Sequence, residues 1–285
     1  MRKTISIGPD TRLGNGDFVV MAGPCAVESR ELLFAAADAV QAAGAGLLRG
    51  GAYKPRTSRE SFQGLGAKGL PLLSEASRRT GLGVVTEVLD PRDVELVTEH
   101  ATVLQVGSRN MQNFALLREV GRQRRPVLLK RGAAATIDEL LHAVDYVTGE
   151  GNESVILCER GVRSFDPSTR YLLDLAAVPV LQQRTPLPVI VDPSHGTGNA
   201  SYVAPMSKAA LAAGADGLLI EVHANPDEAL CDGQQALTPP RFAKLMAQLQ
   251  KMAPLCDRRL SAPTRVGGPD SASRSSSFDD EVIAP

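Results

Sequence analysis

The chain of 285 residues is 43% hydrophobic and 22% charged, a balance that buries a sizeable core and excludes a disordered or fibrous protein. Lys plus Arg number 31 against 32 for Asp plus Glu, a formal net charge of −1, so no global field draws the chain to nucleic acid or an anionic membrane, and any basic site must be local. No stretch reaches the ~18 consecutive apolar residues of a membrane helix, and residues 1–9 are too short and polar for a signal-peptide core, so the sequence reads as cytoplasmic.

Residues 1–16, with Gly14-Asn15-Gly16 as a turn, read as a short N-terminal β-hairpin capping the floor of the larger domain over 17–253. From Asp17 onward, short β-branched runs alternate with segments of helical period. A strand over 18–22 precedes a helix over 31–43; strands over 46–49, 83–88 and 103–106 precede helices over 66–80, 91–100 and 111–122. The pattern continues with strands over 126–130, 154–158, 187–191 and 217–221, each succeeded in turn by helices over 136–148, 168–176, 203–213 and 239–252. Two helix starts are well marked: Thr136 to Glu139 has capping-box spacing, and Asp90-Pro91 pairs an N-cap with a proline at the first helical position. Eight strand–helix units predict an α/β fold, a closed (β/α)8 barrel over 17–253. An open doubly wound sheet is the alternative, weakened by the lack of a Gly-rich dinucleotide fingerprint after the first strand. Residues 254–285, rich in Ser and Pro without an apolar stripe, are expected to form a disordered tail. Cys25, Cys158, Cys231 and Cys256 show no CxxC pairing in a chain large enough to fold without staples, which leaves them as core residues or ligands.

A parallel barrel gathers its active site where the C-terminal ends of the strands meet the loops. Every strand here delivers a reactive group there: Cys25, then Arg49 with Lys54 and Arg56, Glu87, Arg109, Lys130, Arg160, His195, and Glu221 with Asp232 beyond it. Singly, each has a bland reading, a packed cysteine or a structural His or Glu; the coincidence of all eight points to a site. Arg49, Lys54, Arg56, Arg109, Lys130 and Arg160 would repel one another in one bowl unless anions bind there, the alternative being ordinary ion pairs with surface acids. Arginine forks and lysine point charges suit phosphate and carboxylate. Cys25, His195, Glu221 and Asp232 offer sulfur, nitrogen and two carboxylates, a mixture suited to a divalent Mn, Fe, Co or Zn ion rather than Mg or Ca; a plain cluster of buried polar residues is the alternative.

Seven motifs then carry a resemblance: Gly23-Pro24-Cys25-Ala26-Val27-Glu28-Ser29, Arg49-Gly50-Gly51-Ala52-Tyr53-Lys54-Pro55-Arg56-Thr57-Ser58, Gly107-Ser108-Arg109-Asn110-Met111-Gln112-Asn113-Phe114, Leu129-Lys130-Arg131-Gly132, Cys158-Glu159-Arg160-Gly161, Asp192-Pro193-Ser194-His195-Gly196-Thr197-Gly198 and Asp232-Gly233-Gln234-Gln235. In order and content they resemble 3-deoxy-D-arabino-heptulosonate 7-phosphate (DAHP) synthases of the type I beta branch, over about residues 4 to 252. The resemblance implies a (β/α)8 TIM barrel and an aldol-like condensation of phosphoenolpyruvate with erythrose 4-phosphate, which releases phosphate and opens the shikimate route to aromatic amino acids. It implies Cys25, His195, Glu221 and Asp232 as ligands of one divalent metal. It implies Arg109, Lys130 and Arg160 as contacts of the phosphoenolpyruvate phosphate, Arg49 and Lys54 as carboxylate contacts, and Arg56 with Thr57 as holders of the aldehyde substrate's phosphate. Glu87 matches a pocket acid, and Lys54 is the candidate to protonate the developing alkoxide, since a lysine among cations should have a lowered pKa. A homodimer or homotetramer is implied as well.

The related 3-deoxy-D-manno-octulosonate 8-phosphate synthases usually read Lys-Ala-Asn-Arg where this chain has Lys54-Pro55-Arg56-Thr57, which argues for the four-carbon aldehyde. Arg59-Glu60, Ser108, Asn199-Ala200 and Ala224 depart from the family's usual residues, and Arg59 and Asn199 bear on acceptor preference. Neither residues 1–16 nor the Ser-rich tail can supply the regulatory domains that relatives carry, so built-in feedback by that device is not expected. Two other readings compete: the same chemistry on another aldose phosphate, and a non-catalytic regulatory barrel, against which the intact Cys25, His195, Glu221 and Asp232 set speaks.

Overall fold

The computed structural model describes residues 2–8, 10–55, 58 and 60–261. A two-stranded antiparallel hairpin, β1 (Ile5–Ser6) and β2 (Arg12–Leu13), precedes the main sheet. The chain then runs β3 (Asp17–Gly23), α1 (Arg30–Ala42), β4 (Leu47–Arg49), α2 (Gly69–Thr80), β5 (Gly83–Glu87), α3 (Val94–His100), β6 (Val103–Val106) and α4 (Phe114–Gly121). It continues through β7 (Val127–Lys130), α5 (Ile137–Thr148), β8 (Val155–Glu159), α6 (Ala177–Arg184), β9 (Val189–Val191), α7 (Pro193–Thr197), α8 (Ala200–Ala212), β10 (Gly217–Glu221), α9 (Pro239–Met252) and β11 (Arg259–Ser261). Strands β3 to β10 pair in parallel with their sequence neighbours, and β10 returns to pair with β3 from Gly217↔Val19 to Glu221↔Gly23, closing a (β/α)8 TIM barrel.

Strand alternation produces two apolar sets. Val19, Met21, Leu47, Val85, Val103, Leu128, Ile156, Cys158, Ile190 and Leu219 fill the interior in one cluster with Ile5, Ile7 and Leu13 from the hairpin region. Their strand neighbours, among them Val20, Leu48, Val84, Leu104 and Leu157, face outward and pack with helix residues such as Leu33, Leu73, Leu116 and Phe242. The interior is therefore plugged by its own side chains at mid-height and by Ile5, Ile7 and Leu13 beside Gly83 at the start of β5, where the Ile7 carbonyl approaches the glycine. The barrel interior is thus closed from the hairpin end, and the opposite rim carries the strands' C-terminal ends and the loops that follow them. The strands can approach closely there because Gly23 has φ +154° and a Cβ on it would lie 2.1 Å from the Arg49 carbonyl oxygen.

Local signals worked as their chemistry requires. Thr136 Oγ1 accepts Glu139 N at 3.2 Å while Glu139 Oε2 accepts Thr136 N at 2.7 Å, the reciprocal box that starts α5. Asp90 accepts Arg92 N at 2.9 Å ahead of Pro91 and the 3-10 turn leading into α3. Two expectations are corrected. Residues 168–176 are not helical; the sixth helix is α6, and the apolar residues Leu173 and Leu175 pack against the core from an irregular loop. Order also persists past residue 254, because β11 pairs in parallel with the first half of β3, Arg259↔Asp17 to Ser261↔Val19, next to where β4 pairs with its second half. The rest of the expected tail, 262–285, lies outside the described residues. All four cysteines are free, and among the described residues no helix is long and apolar enough to cross a membrane.

Candidate active site

The four proposed ligands come from three parts of the chain and converge. Cys25 lies just after β3, Glu221 ends β10, His195 sits on α7 beyond β9, and Asp232 lies in the loop after β10. One donor atom from each falls within 4.8 Å of all the others. Cys25 Sγ is 3.3 Å from Asp232 Oδ2, and His195 Nε2 is 3.1 Å from Glu221 Oε1. Glu221 is held in place: Arg49 Nη1 donates to its Oε1 at 3.1 Å, Gln235 Nε2 to its Oε2 at 2.8 Å, and its own backbone N–H to Ser194 Oγ at 3.0 Å. Burial pushes the His195 imidazole down to about 4, against the pull of Asp192 and Glu221, so the ring is neutral at neutral pH. Burial works against ionisation of Glu221, yet His195, Arg49 and Lys54 outweigh it and hold the carboxyl below its ordinary range. Burial, helped by a hydrogen bond with Cys231 and by Glu221, raises the Cys25 thiol.

Beside this cluster opens a cavity of about 260 Å³ whose wall carries Lys54, Arg109, Lys130, Arg160 and Arg170, with Glu87, His195 and Asp232. The cations divide into two groups. Arg49, Lys54 and Lys130 are buried and already countered, but by buried acids of the site: Glu221, Asp232 (Lys54 Nζ to Oδ2, 3.0 Å) and Asp192 (Lys130 Nζ to Oδ2, 2.6 Å). Arg109 and Arg160 have no acidic partner among the described residues. Arg109 is exposed and donates only to the Pro55 carbonyl at 3.4 Å. Arg160 is 5% exposed, its guanidinium stacks 4.2 Å above the Tyr171 ring, and its Nη1 is buried without a hydrogen-bond partner. A buried donor left unsatisfied is costly, and it marks where an anion is wanted. Arg49 Nε is in the same condition behind the cluster.

Most residues expected at the rim are thus brought together: Cys25, Arg49, Lys54, Glu87, Arg109, Lys130, Arg160, His195, Glu221 and Asp232. Arg56, Thr57 and Arg59 lie outside the described residues. One inference about charge is corrected. The sequence predicts a lowered pKa for Lys54; burial does press it down, but Cys25, Glu221 and Asp232 together outweigh burial and raise it, so the ammonium is held protonated, 2.6 Å from Cys25 Sγ. Two functional residues, Arg170 and Gln235, escape the sequence reading. Arg170 lines the cavity and donates to Gln235 Oε1 at 3.0 Å, Gln235 in turn holds Glu221, and Asp192 takes on both Lys130 and His195. Arg170 is signalled only by the long connection between β8 and α6, a length that commonly serves function.

The DAHP synthetase I family model matches residues 2–256. A phospho-2-dehydro-3-deoxyheptonate aldolase of Thermotoga maritima is 49% identical over 244 residues, spanning 86% of this chain and 72% of that protein. A 2-dehydro-3-deoxyphosphooctonate aldolase of Desulfatibacillum aliphaticivorans is 31% identical over 87% of this chain and 97% of its own length. Among solved structures, the Thermotoga maritima DAHP synthase superposes with a TM-score of 0.89 at 45% identity, covering 91% of this chain and 76% of that one. A truncated form of that synthase gives 0.85 at 43% identity, covering 91% and 95%. With a matched model across nearly the whole barrel and the family's motifs assembled on a single rim, this chain belongs to the DAHP synthetase I family.

Proposed function

We propose that this protein condenses phosphoenolpyruvate with erythrose 4-phosphate to give DAHP and inorganic phosphate, the first step of the shikimate pathway to aromatic amino acids, in the cytoplasm and as a homodimer or homotetramer. The observation that carries the reading is a soft-and-hard donor set, all within 4.8 Å, bordering a cavity whose buried wall presents an unpartnered arginine donor. Thiol sulfur, imidazole and two carboxylates suit a first-row divalent ion such as Mn, Fe, Co or Zn, and Cys25, His195, Glu221 and Asp232 would hold it. Such an ion supplies Lewis acidity toward the aldehyde oxygen of the acceptor.

The chain's own groups do the rest. Phosphoenolpyruvate brings about three negative charges and the sugar phosphate about two, so the reactants repel until cations hold them together. Arg109 and Arg160, cavity cations without an acidic partner among the described residues, take the phosphoenolpyruvate phosphate with Lys130. Arg49 and Lys54 border its carboxylate, and Arg56 with Thr57 take the acceptor's phosphate. C3 of phosphoenolpyruvate bonds to the aldehyde carbon, water supplies the new oxygen at C2, and phosphate leaves. Lys54 is charged and buried, and it passes a proton to the alkoxide left by the aldehyde, the stronger base of the two. Glu87, half-buried and held by Gln105 Nε2 at 3.0 Å, has no cationic partner among the described residues and can accept a proton from the adding water.

The identity of 49% to a heptonate aldolase against 31% to an octonate aldolase favours the four-carbon acceptor. The test is phosphate release from phosphoenolpyruvate with erythrose 4-phosphate or arabinose 5-phosphate, before and after prolonged chelation. Activity with erythrose 4-phosphate that falls with chelator and returns with Mn²⁺ supports the reading. Preference for arabinose 5-phosphate, or full activity after the metal is removed, contradicts it.

A further inference from the structure

Asp192 is completely buried and its two carboxylate oxygens are differently employed. Oδ1 accepts the backbone N–H of His195 at 2.9 Å and so caps α7. Oδ2 meets two side chains at once, His195 Nδ1 at 2.7 Å and Lys130 Nζ at 2.6 Å. Two carboxylates face the ring, but only Asp192 Oδ2 meets it in hydrogen-bonding geometry, at 2.7 Å from Nδ1, whereas Glu221 Oε1 lies 3.1 Å from Nε2 without such a bond; the imidazole proton therefore belongs on Nδ1, which leaves the Nε2 lone pair for a metal. The same oxygen anchors the ammonium that reaches the cavity wall from β7. One atom therefore touches both halves of the site.

We propose that Asp192 is a positioning residue that couples the metal ligands to the phosphoenolpyruvate subsite: through one shared carboxylate oxygen it fixes the metal-binding tautomer of His195 and the placement of Lys130. The proposal rests on the functional reading above and goes beyond it, because it makes the two affinities interdependent. Occupation of the cavity by an anion draws on the Lys130 ammonium, which loosens or tightens its hold on Oδ2 and so the orientation of His195. Linkage requires the effect to be equal in both directions.

The competing role for Asp192 is a helix cap and nothing more. Asp192→Asn separates the two, since asparagine caps as well as aspartate while its amide nitrogen, placed at Oδ2, donates where Oδ2 accepted. It then donates to Nδ1, which moves the imidazole proton to Nε2 and blocks the metal-facing nitrogen, and it opposes the Lys130 ammonium with another donor. Three measurements on the full chain decide between them. Nitrogen NMR of ¹⁵N-histidine-labelled, metal-free protein reads the tautomer; the wild type shows Nδ1–H and D192N shows Nε2–H. Mn²⁺ titration monitored by electron paramagnetic resonance gives a dissociation constant about 10–100-fold higher in D192N. Calorimetric titration of phosphoenolpyruvate with and without Mn²⁺ gives a coupling factor of at least about fivefold in the wild type, collapsing toward one in D192N. A wild-type factor of one overturns the coupling without recourse to any variant, and D192N with wild-type tautomer and Mn²⁺ affinity overturns the positioning role. If the wild type binds Mn²⁺ but no phosphoenolpyruvate, the functional reading and the coupling both fall, while the tautomer and Mn²⁺ results still decide the positioning role.

Discussion

Replacing Gly107 by alanine should destabilise the protein only because Glu87 is where the structure puts it. An alanine Cβ at this position would sit 2.0 Å from Glu87 Oε1, 2.8 Å from its Cδ and 3.4 Å from Oε2, and these are the three nearest atoms. The backbone does not object, since Gly107 has φ −70° and ψ 160°, open to any residue. The carboxylate must therefore swing away and give up the 3.0 Å hydrogen bond from Gln105, in a half-buried place. Because the displaced carboxylate is the end of a flexible side chain and can regain water, the loss is that of one net hydrogen bond, about 0.5–1.5 kcal/mol. In a Glu87→Ala background the obstacle is gone, and Gly107→Ala should instead stabilise by about 0.4–1 kcal/mol by narrowing the unfolded ensemble. Urea unfolding of the four proteins of this double-mutant cycle measures the change of sign. Steady-state turnover supplies a second reading: G107A and E87A should each lower kcat, and the double variant should be no worse than E87A. Equal destabilisation by G107A in both backgrounds refutes the placement of Glu87 against Gly107.

The same geometry gives other outcomes. Arg131→Met strips its 2.9 Å partner from the fully buried Glu159 and should cost about 3–5 kcal/mol in urea unfolding, with most of it recovered in Arg131→Met/Glu159→Gln; a loss below about 1 kcal/mol would contradict the pair's buried role. Asp90 is held at about 2 by Arg92, through its side chain and backbone N–H, so its contribution to stability is fully present above the ordinary aspartate range and is lost as pH falls through 2. Asp90→Ala should therefore lower the urea midpoint at pH 7, with the gap to wild type closing toward pH 2; a gap independent of pH would refute the cap. Mn²⁺ at about a hundredfold over its Kd should stabilise the fold by about 2.7 kcal/mol, a Tm rise of about 5–11 °C for a domain of this size. Cys25→Ala should erase that rise, and an unchanged rise would move the metal elsewhere.

The barrel was legible because its determinants are local and repeated. Each strand is a short apolar run and each helix carries its own stripe and stop, so eight units could be counted without knowing any contact. The loop over 168–176 mimics a helix because Leu172, Leu173 and Leu175 have helical spacing, yet Leu173 and Leu175 cover the core from an irregular path while Leu172 is exposed, with Tyr171 beneath Arg160. Strand β11 was hidden for a related reason: three residues carry no period, and only pairing with Asp17–Val19, far away in sequence, gives them a conformation. At the site, residue types and strand ends were readable, but counter-ions were not. The raised Lys54 pKa depends on Cys25 after β3 and on acids from β10 and the loop beyond it, and the division of the cavity cations into countered and uncountered depends on which strands adjoin in space.

The proposed function stands on Cys25, His195, Glu221 and Asp232 together binding the metal that the reaction needs. X-ray absorption at the zinc edge, on protein loaded with one equivalent of Zn²⁺, tests it most directly. One sulfur neighbour is expected at about 2.3 Å with nitrogen and oxygen neighbours at about 2.0–2.2 Å, and the sulfur shell should be lost in Cys25→Ser. A wild-type spectrum with nitrogen and oxygen neighbours alone, or a sulfur shell that survives in Cys25→Ser, would contradict it.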